Sequence, residues 1–143
     1  MEQLNSRPLL IDTSALANKD FIRWLKGYHG AKKISSVTYM EYSLFYIEKK
    51  GWDLERVNRL LNEAGIDVEP FGKKQAGQAA VLMAGRTSEF RCGECGKLDW
   101  NDCMIAAHAP YAPTILVTNN VGDFPSTGAA VMTPGEIMMV ERE

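Results

Sequence analysis

The stretch D-W-N-D-C-M-I-A-A-H-A-P-Y-A-P-T-I-L-V-T-N-N-V-G-D-F, Asp99 to Phe124, holds the densest set of residues able to do chemistry in this 143-residue chain. Asp99 and Asp102 stand three apart. Asp99 reads as the N-cap of a helix whose first turn opens at Trp100. Asp102 then takes the third helical position, with Ile105, Ala106 and Ala109 on its face. Pro110 and Pro113 end that helix. Thr114 to Val117, mostly β-branched, reads as a buried strand that runs into Thr118-Asn119-Asn120, and Asp123 follows in the next turn. Two more acids hold equivalent places. Asp12 follows the apolar run Pro8 to Ile11, a first strand. Glu41 lies in the first turn of the helix expected after a second strand, Ile34 to Val37. In a parallel sheet, residues just past strand ends share one edge, where open α/β folds place their sites.

Each acid has a plainer reading alone. Asp12 or Ser14 could cap the turn that follows. Thr38 and Glu41 have capping-box spacing, with Thr38 at N-cap and Glu41 three residues on. Together, capping explains them poorly. Two carboxylates about 5 Å apart repel by about 3 kcal/mol at an effective dielectric near 20. A divalent cation removes that repulsion and makes the group a ligand shell. Oxygen donors without nearby His or Cys suit Mg²⁺ or Mn²⁺ over zinc. Such an ion can activate water and stabilise the charge that develops in phosphodiester hydrolysis.

The elements that must position these residues follow from periodicity and caps. A short helix Phe21 to Lys26 is expected, capped by Asp20 and stopped by Gly27. Tyr28 to Lys33 reads as a basic loop containing His29. Met40, Leu44 and Ile47 repeat at helical spacing, and Gly51 ends that helix. Asp53 caps an amphipathic helix carrying Leu54, Val57, Leu60, Leu61 and Ala64, with Gly65 as its stop. Ile66 to Glu69 is a third strand. Lys73 to Met83 suits a closely packed helix, Thr87 to Leu98 is irregular, and Ala129 to Met132 is a last edge strand. Thr133-Pro134 then starts a terminal turn or helix. Strands alternating with helices predict a three-layer α/β/α sandwich with a mainly parallel sheet, as one domain over 1–143.

Bulk properties bound the class. With 45% hydrophobic residues the chain can bury a core, and its net charge of −2 supplies no general positive field for nucleic acid. Contact with nucleic acid must be local. No run is long enough to span a membrane and no leader is evident, so a cytoplasmic protein is expected. Three cysteines argue against a secreted disulfide framework.

The motifs I-D-T-S-A-L (Ile11 to Leu16), the lone Glu41, D-C-M-I-A-A-H-A (Asp102 to Ala109) and L-V-T-N-N-V-G-D-F (Leu116 to Phe124) together resemble the PIN domain, closest to the VapC-type toxin ribonucleases of toxin–antitoxin pairs. The resemblance implies an α/β/α sandwich and Mg²⁺- or Mn²⁺-dependent cleavage of single-stranded or structured RNA. It assigns Asp12, Glu41, Asp102 and Asp123 to the acidic quartet that carries metal and catalysis. Thr13 and Ser14 match the hydroxyls after the first acid, Thr118 the strand-end hydroxyl and Asn120 the polar residue beside the metal. Asp99 is left as N-cap or as an additional metal contact. Arg86, Arg91 and Lys97 are candidate phosphate contacts. The resemblance also implies a small antitoxin inserted beside the acids and a homodimer, for which Tyr39, Tyr42, Phe45 and Tyr46 are a candidate surface unless those rings are core. An RNA-maturation nuclease and a non-catalytic RNA- or protein-binding scaffold are the alternatives.

C-G-E-C at Cys92 to Cys95 departs from that pattern. One CxxC lacks the four ligands of a structural zinc site. Cys103 and His108, five apart on one helix, point about 140° apart and do not complete it. The expectation is two ordinary loop thiols, with a local disulfide as the alternative. His108 reads as a helix-end dipole partner or surface residue rather than a general base.

Overall fold

The computed structural model describes residues 6–85, 100–109, 114–124 and 127–142, the side chains of Asp123, Glu141 and Arg142 excepted. Five short strands form one sheet: β1 (Leu9–Ile11), β2 (Lys32–Ser35), β3 (Ile66–Glu69), β4 (Ile115–Val117) and β5 (Ala130–Met132), in the order β3-β2-β1-β4-β5. Every pairing is parallel. The chain leaves β1 toward β2 and β3, then returns to its other side for β4 and β5. The order therefore reverses between β1 and β4, the topological switch point where such sheets bind ligands.

Alternation along the strands sorts the core into two layers. Leu9 and Ile11 of β1 and Ile115 and Val117 of β4 face a cluster that includes Phe21, Leu25, Val57, Leu61 and Ile137. These come from α2 (Lys19–Leu25), α4 (Leu54–Glu63) and α7 (Pro134–Arg142). Leu10 and Leu116 face the other way, onto Ile105, Ala106 and Ala109, with Leu82 packed alongside. That layer is α5 (Lys73–Gly85) and α6 (Trp100–Ala106). Small alanines let α6 approach the sheet closely. The expected α/β/α sandwich is present, and its sheet is wholly parallel. Among the described residues, no helix is long and apolar enough to cross a membrane.

Several local expectations hold. The Asp53 side chain caps α4 by accepting from Arg56 N at 2.9 Å. Gly51 ends α3 (Ser36–Lys50) in the left-handed region at φ 67°, where a side chain would be strained. Thr133 and Glu136 form a reciprocal capping box at the start of α7, bonds of 3.1 and 2.9 Å, with Pro134 in the first helical position.

Others are corrected. Asn18, not Asp20, caps α2, accepting from Phe21 N at 3.0 Å. Lys32 and Lys33 belong to β2 and not to a loop. Lys32 Nζ donates to the carbonyls of Leu25, the last residue of α2, and of Tyr28 just beyond it, at 2.7 and 3.1 Å, and Lys33 pairs with Glu69 of the neighbouring strand at 3.1 Å. A cation at a helix C-terminus repays its place in a strand. The largest correction concerns α3. It starts at Ser36, with Ser35 as N-cap accepting from Val37 N at 3.0 Å. Thr38 is therefore inside the helix, its buried hydroxyl without a hydrogen-bond partner, and the Thr38–Glu41 capping box does not form. The same helix buries Tyr42 and packs Tyr39 and Tyr46 against the core, while Met40, Leu44 and Ile47 stand 62%, 54% and 42% exposed. Of the four rings proposed for pairing, only Phe45 is largely exposed.

Candidate functional site at the sheet edge

β1 and β4 are in register Ile11 to Val117, so the next residues, Asp12 and Thr118, meet at the switch point. Asp12 is the residue before the short α1 (Thr13–Leu16), yet its side chain makes no capping bond. The cap reading of Asp12 is thereby excluded. Its Oδ2 instead accepts from two hydroxyls, Ser14 Oγ at 2.8 Å and Thr118 Oγ1 at 2.8 Å. Each hydroxyl has one proton, and both are directed to this oxygen, which leaves the 3.2 Å contact between the hydroxyls as an approach of two acceptors. Those acceptor sites are filled by backbone amides, Asn119 N onto Ser14 Oγ and Asn120 N onto Thr118 Oγ1, both at 3.0 Å. Asn119 Nδ2 also donates to the Ser14 carbonyl at 3.1 Å. The strand ends are thus laced together around one buried carboxylate oxygen. No described residue donates a hydrogen bond to Oδ1 of Asp12.

Glu41 reaches this edge from α3. With the capping box absent, its carboxylate accepts from Thr13 Oγ1 at 2.7 Å through Oε1 and from Asn101 Nδ2 at 3.2 Å through Oε2. Thr13 adjoins Asp12 and Asn101 adjoins Asp102, so Glu41 links the chain at the first acid to the chain at the third. Asp102 lies in the first turn of α6, half-buried. Asp123 ends the single 3-10 turn Val121–Asp123, directly after the Thr118 strand end. Its side chain, and Asp99, Arg86, Arg91, Lys97, Cys92 and Cys95, lie outside the described residues.

Asn120 enters the network by its backbone. Asn101 and Asn119 are the residues that sequence reasoning missed. Both were visible as short amides beside an acid or a strand end, but only the fold shows which acid or hydroxyl each one meets.

The groups bonded together here are carboxylates, hydroxyls and side-chain amides, and carboxylate and hydroxyl oxygens suit a hard divalent cation. Among the described residues, no three acidic, imidazole or thiolate groups close into a ready-made cage. The fit is therefore one of donor chemistry at Asp12, Glu41 and Asp102.

His108 is not the surface residue expected. It is 2% exposed, and Nδ1 bonds Glu69 Oε1 at the end of β3, tying the chain after α6 to the sheet. Burial pushes the ring below its ordinary value; the hydrogen bond and charge of Glu69 oppose this without overcoming it. Burial pushes the Glu69 carboxyl up, but the hydrogen bonds from His108 and Lys33, with the charge of Lys33, hold it below the ordinary range. The imidazole is neutral, donating from Nδ1, with Nε2 buried and without a partner. It is a brace behind the site and not a base within it.

A groove of about 780 Å³ is lined by Thr13 and Ser14, the hydroxyls bonded to Glu41 and Asp12, and by none of the acids themselves. Thr13 and Ser14 form its end toward the site; Ile22, Tyr42, Phe45 and Trp52 line apolar walls, and Lys19 and Lys50 contribute cations.

Residues 9–128 match the family model of the PIN domain. The chain belongs to the PIN domain family. The PIN fold is also what its solved neighbours share. DNA-bound VapBC from Salmonella typhimurium matches with a TM-score of 0.64 and 23% identity, over 89% of this chain and 98% of that one. FitAcB from Neisseria gonorrhoeae matches at 0.66 and 22%, again over 89% and 98%. A toxin–antitoxin complex from Klebsiella pneumoniae matches at 0.64 and 22%, over 88% and 97%. No curated protein matches the sequence.

Proposed function

We propose that this PIN-domain protein is a divalent-metal-dependent endoribonuclease and the toxin of a toxin–antitoxin pair, acting as one domain in the cytoplasm. The observation that carries the reading is the edge between β1 and β4, where Asp12 is held by two hydroxyls and Glu41 is held between Thr13 and Asn101. So many groups spent on orienting two carboxylates argue for a site and against surface charge. Asp12, Glu41, Asp102 and Asp123 would hold Mg²⁺ or Mn²⁺. Such an ion, when bound, supplies charge neutralisation and an acidified water. Ser14 and Thr118 fix Asp12 through Oδ2 and leave Oδ1 to hold the ion. Thr13 and Asn101 fix Glu41 through one oxygen each. Water's oxygen bonds to phosphorus, the bond to one ester oxygen breaks, and the proton the water loses ends on that leaving oxygen. Arg86, Arg91 and Lys97 are assigned to the phosphates of the RNA.

The Klebsiella pneumoniae neighbour is a toxin–antitoxin complex, and the groove ending at Thr13 and Ser14 supports the same partnership here. An inhibitory segment would lay apolar anchors along Ile22, Tyr42 and Trp52 and direct a basic residue at the carboxylates. The exposed Met40, Leu44 and Ile47 stripe is assigned to a homodimer contact.

The test is cleavage of a mixed RNA pool in Mn²⁺ by the wild type and by Asp12→Asn and Asp102→Asn. Each change removes a ligand charge at nearly constant volume. Loss of cleavage with an intact fold is expected. Equal activity in all three would remove these acids from catalysis. Expression with and without the neighbouring gene, read as growth, tests the toxin assignment.

A further inference from the structure

Two of the three tryptophans are committed to packing. Trp24 stacks with Phe21 and Tyr28, ring centroids 5.6 and 5.0 Å apart. Trp52 stacks on Tyr46 at 4.4 Å and lies under the Arg56 guanidinium at 4.1 Å. Trp100 differs. It is 58% exposed, and among the described residues no ring or cation packs on it and none accepts its indole N–H. Buried indoles find a partner for that N–H; this one is left in water with a face to offer.

Its place is specific. Trp100 opens α6 and immediately precedes Asn101, whose amide holds Glu41. On the other side of that hydrogen bond, Met40 immediately precedes Glu41 and is 62% exposed. Trp100 and Met40 are thus the exposed sequence neighbours of the bonded pair, one on each helix. The chain's net charge of −2 supplies no general positive field for a nucleic acid. An exposed indole next in sequence to Asn101 offers an uncharged contact instead, by stacking on an unpaired base.

We infer that Trp100 is a base-stacking platform, which makes the substrate a strand with an unpaired base beside the scissile phosphate. The inference rests on the nuclease reading of the acids for the identity of the strand. Base stacking on an aromatic ring is worth about 1–3 kcal/mol per base, which is about 5- to 150-fold in affinity. It does not select strongly among bases, because every base has a π face.

The experiment measures binding, apart from turnover. A labelled single-stranded RNA oligomer is titrated with the full chain by fluorescence anisotropy, with Ca²⁺ in place of Mg²⁺. The same is done with a duplex of the same sequence and with an oligomer of abasic residues. Trp100→Ala is expected to weaken single-strand binding about 5- to 150-fold, and Trp100→Phe to recover most of it. The wild type should bind the abasic strand as poorly as Trp100→Ala binds the intact one, with no further loss when the two changes are combined. The duplex should bind weakly and independently of Trp100. Equal binding by wild type and Trp100→Ala, or an abasic strand bound as well as an intact one, overturns the platform. So does a change of oligomeric state in Trp100→Ala by light scattering, which would make the ring a protein contact. Trp100-dependent binding without any cleavage removes the nuclease reading and keeps the platform. Cleavage with Trp100-independent binding does the reverse.

Discussion

Replacing Thr118 by Val tests whether the hydroxyl clamp on Asp12 is a structural necessity. The side chain is fully buried and its shape is kept, so the change isolates the hydroxyl. Two bonds go: the donation to Asp12 Oδ2 and the acceptance from Asn120 N. A hydrogen bond to a charged group contributes about 1.5–3 kcal/mol. Asn120 is exposed, so its amide finds water, and Ser14 still serves the same carboxylate oxygen. The expected loss is therefore near the lower end, about 2 kcal/mol. Ser14→Ala alone should cost about 1 kcal/mol, because Ser14 is only half-buried and Thr118 remains. The double variant leaves a carboxylate oxygen of a 6%-exposed aspartate with neither donor. Its loss should exceed the sum of the singles by about 1 kcal/mol, the signature of two donors sharing one acceptor. Guanidinium unfolding of the four proteins supplies the numbers. A single-variant loss under about 0.5 kcal/mol, or strict additivity, would refute the clamp.

If the acids hold a divalent ion, millimolar Mn²⁺ or Mg²⁺ should stabilise the protein by about 2.7 kcal/mol at a hundredfold excess over Kd; a melting curve indifferent to both ions would count against any metal centre. Acid should destabilise the fold in two stages. His108 has a folded-state value below 6.5, so the unfolded chain takes up its proton first and stability declines as pH falls from about 6.5 toward the folded value; Glu69, also held low, adds a decline as pH falls below 4.5 through its own folded value. His108→Gln, which keeps a donor for Glu69, should flatten the limb just below pH 6.5, and an unchanged slope in pH-dependent denaturation would sink that account. Leu44→Glu on the exposed α3 face should shift a dimer to monomer in light scattering, with an unfolding midpoint near the wild type's; a dimer unmoved by it would exclude this face.

Much of the frame is legible in residues whose signals are local. Ile66 to Glu69 needs only its alternation of β-branched and acidic residues and the glycine and proline around it, and it forms as read. Asp53, Gly51 and Gly65 act through their own backbone neighbours, and each does what its type implies. The failures arise where a local pattern has a competitor. Thr38 and Glu41 have capping-box spacing, but Ser35 starts the helix three residues earlier and takes the capping role. That error hid the stronger statement, that a glutamate freed from capping can bond Thr13 and Asn101. In α3, periodicity marked Met40, Leu44 and Ile47 as one face without saying which face meets the sheet. The aromatic face won, because Tyr42, Tyr39 and Tyr46 fill the space beside α4 and Trp52. Buried His108 was unreadable because its partner Glu69 stands 39 positions away.

The separation between Asp12 and Thr118 is 106 positions, and it governs when the Asp12 carboxylate becomes oriented. β1 is made early, but its neighbour on the site's side, β4, is made after β2, β3 and all of α6. Pairing across so long a loop is late in folding, since chain entropy opposes it until the intervening elements are in place. During synthesis, an amino-terminal fragment has the first acid without the hydroxyl that orients it. A chain that stops short of Thr118 lacks the hydroxyl that, with Ser14, orients the Asp12 carboxylate.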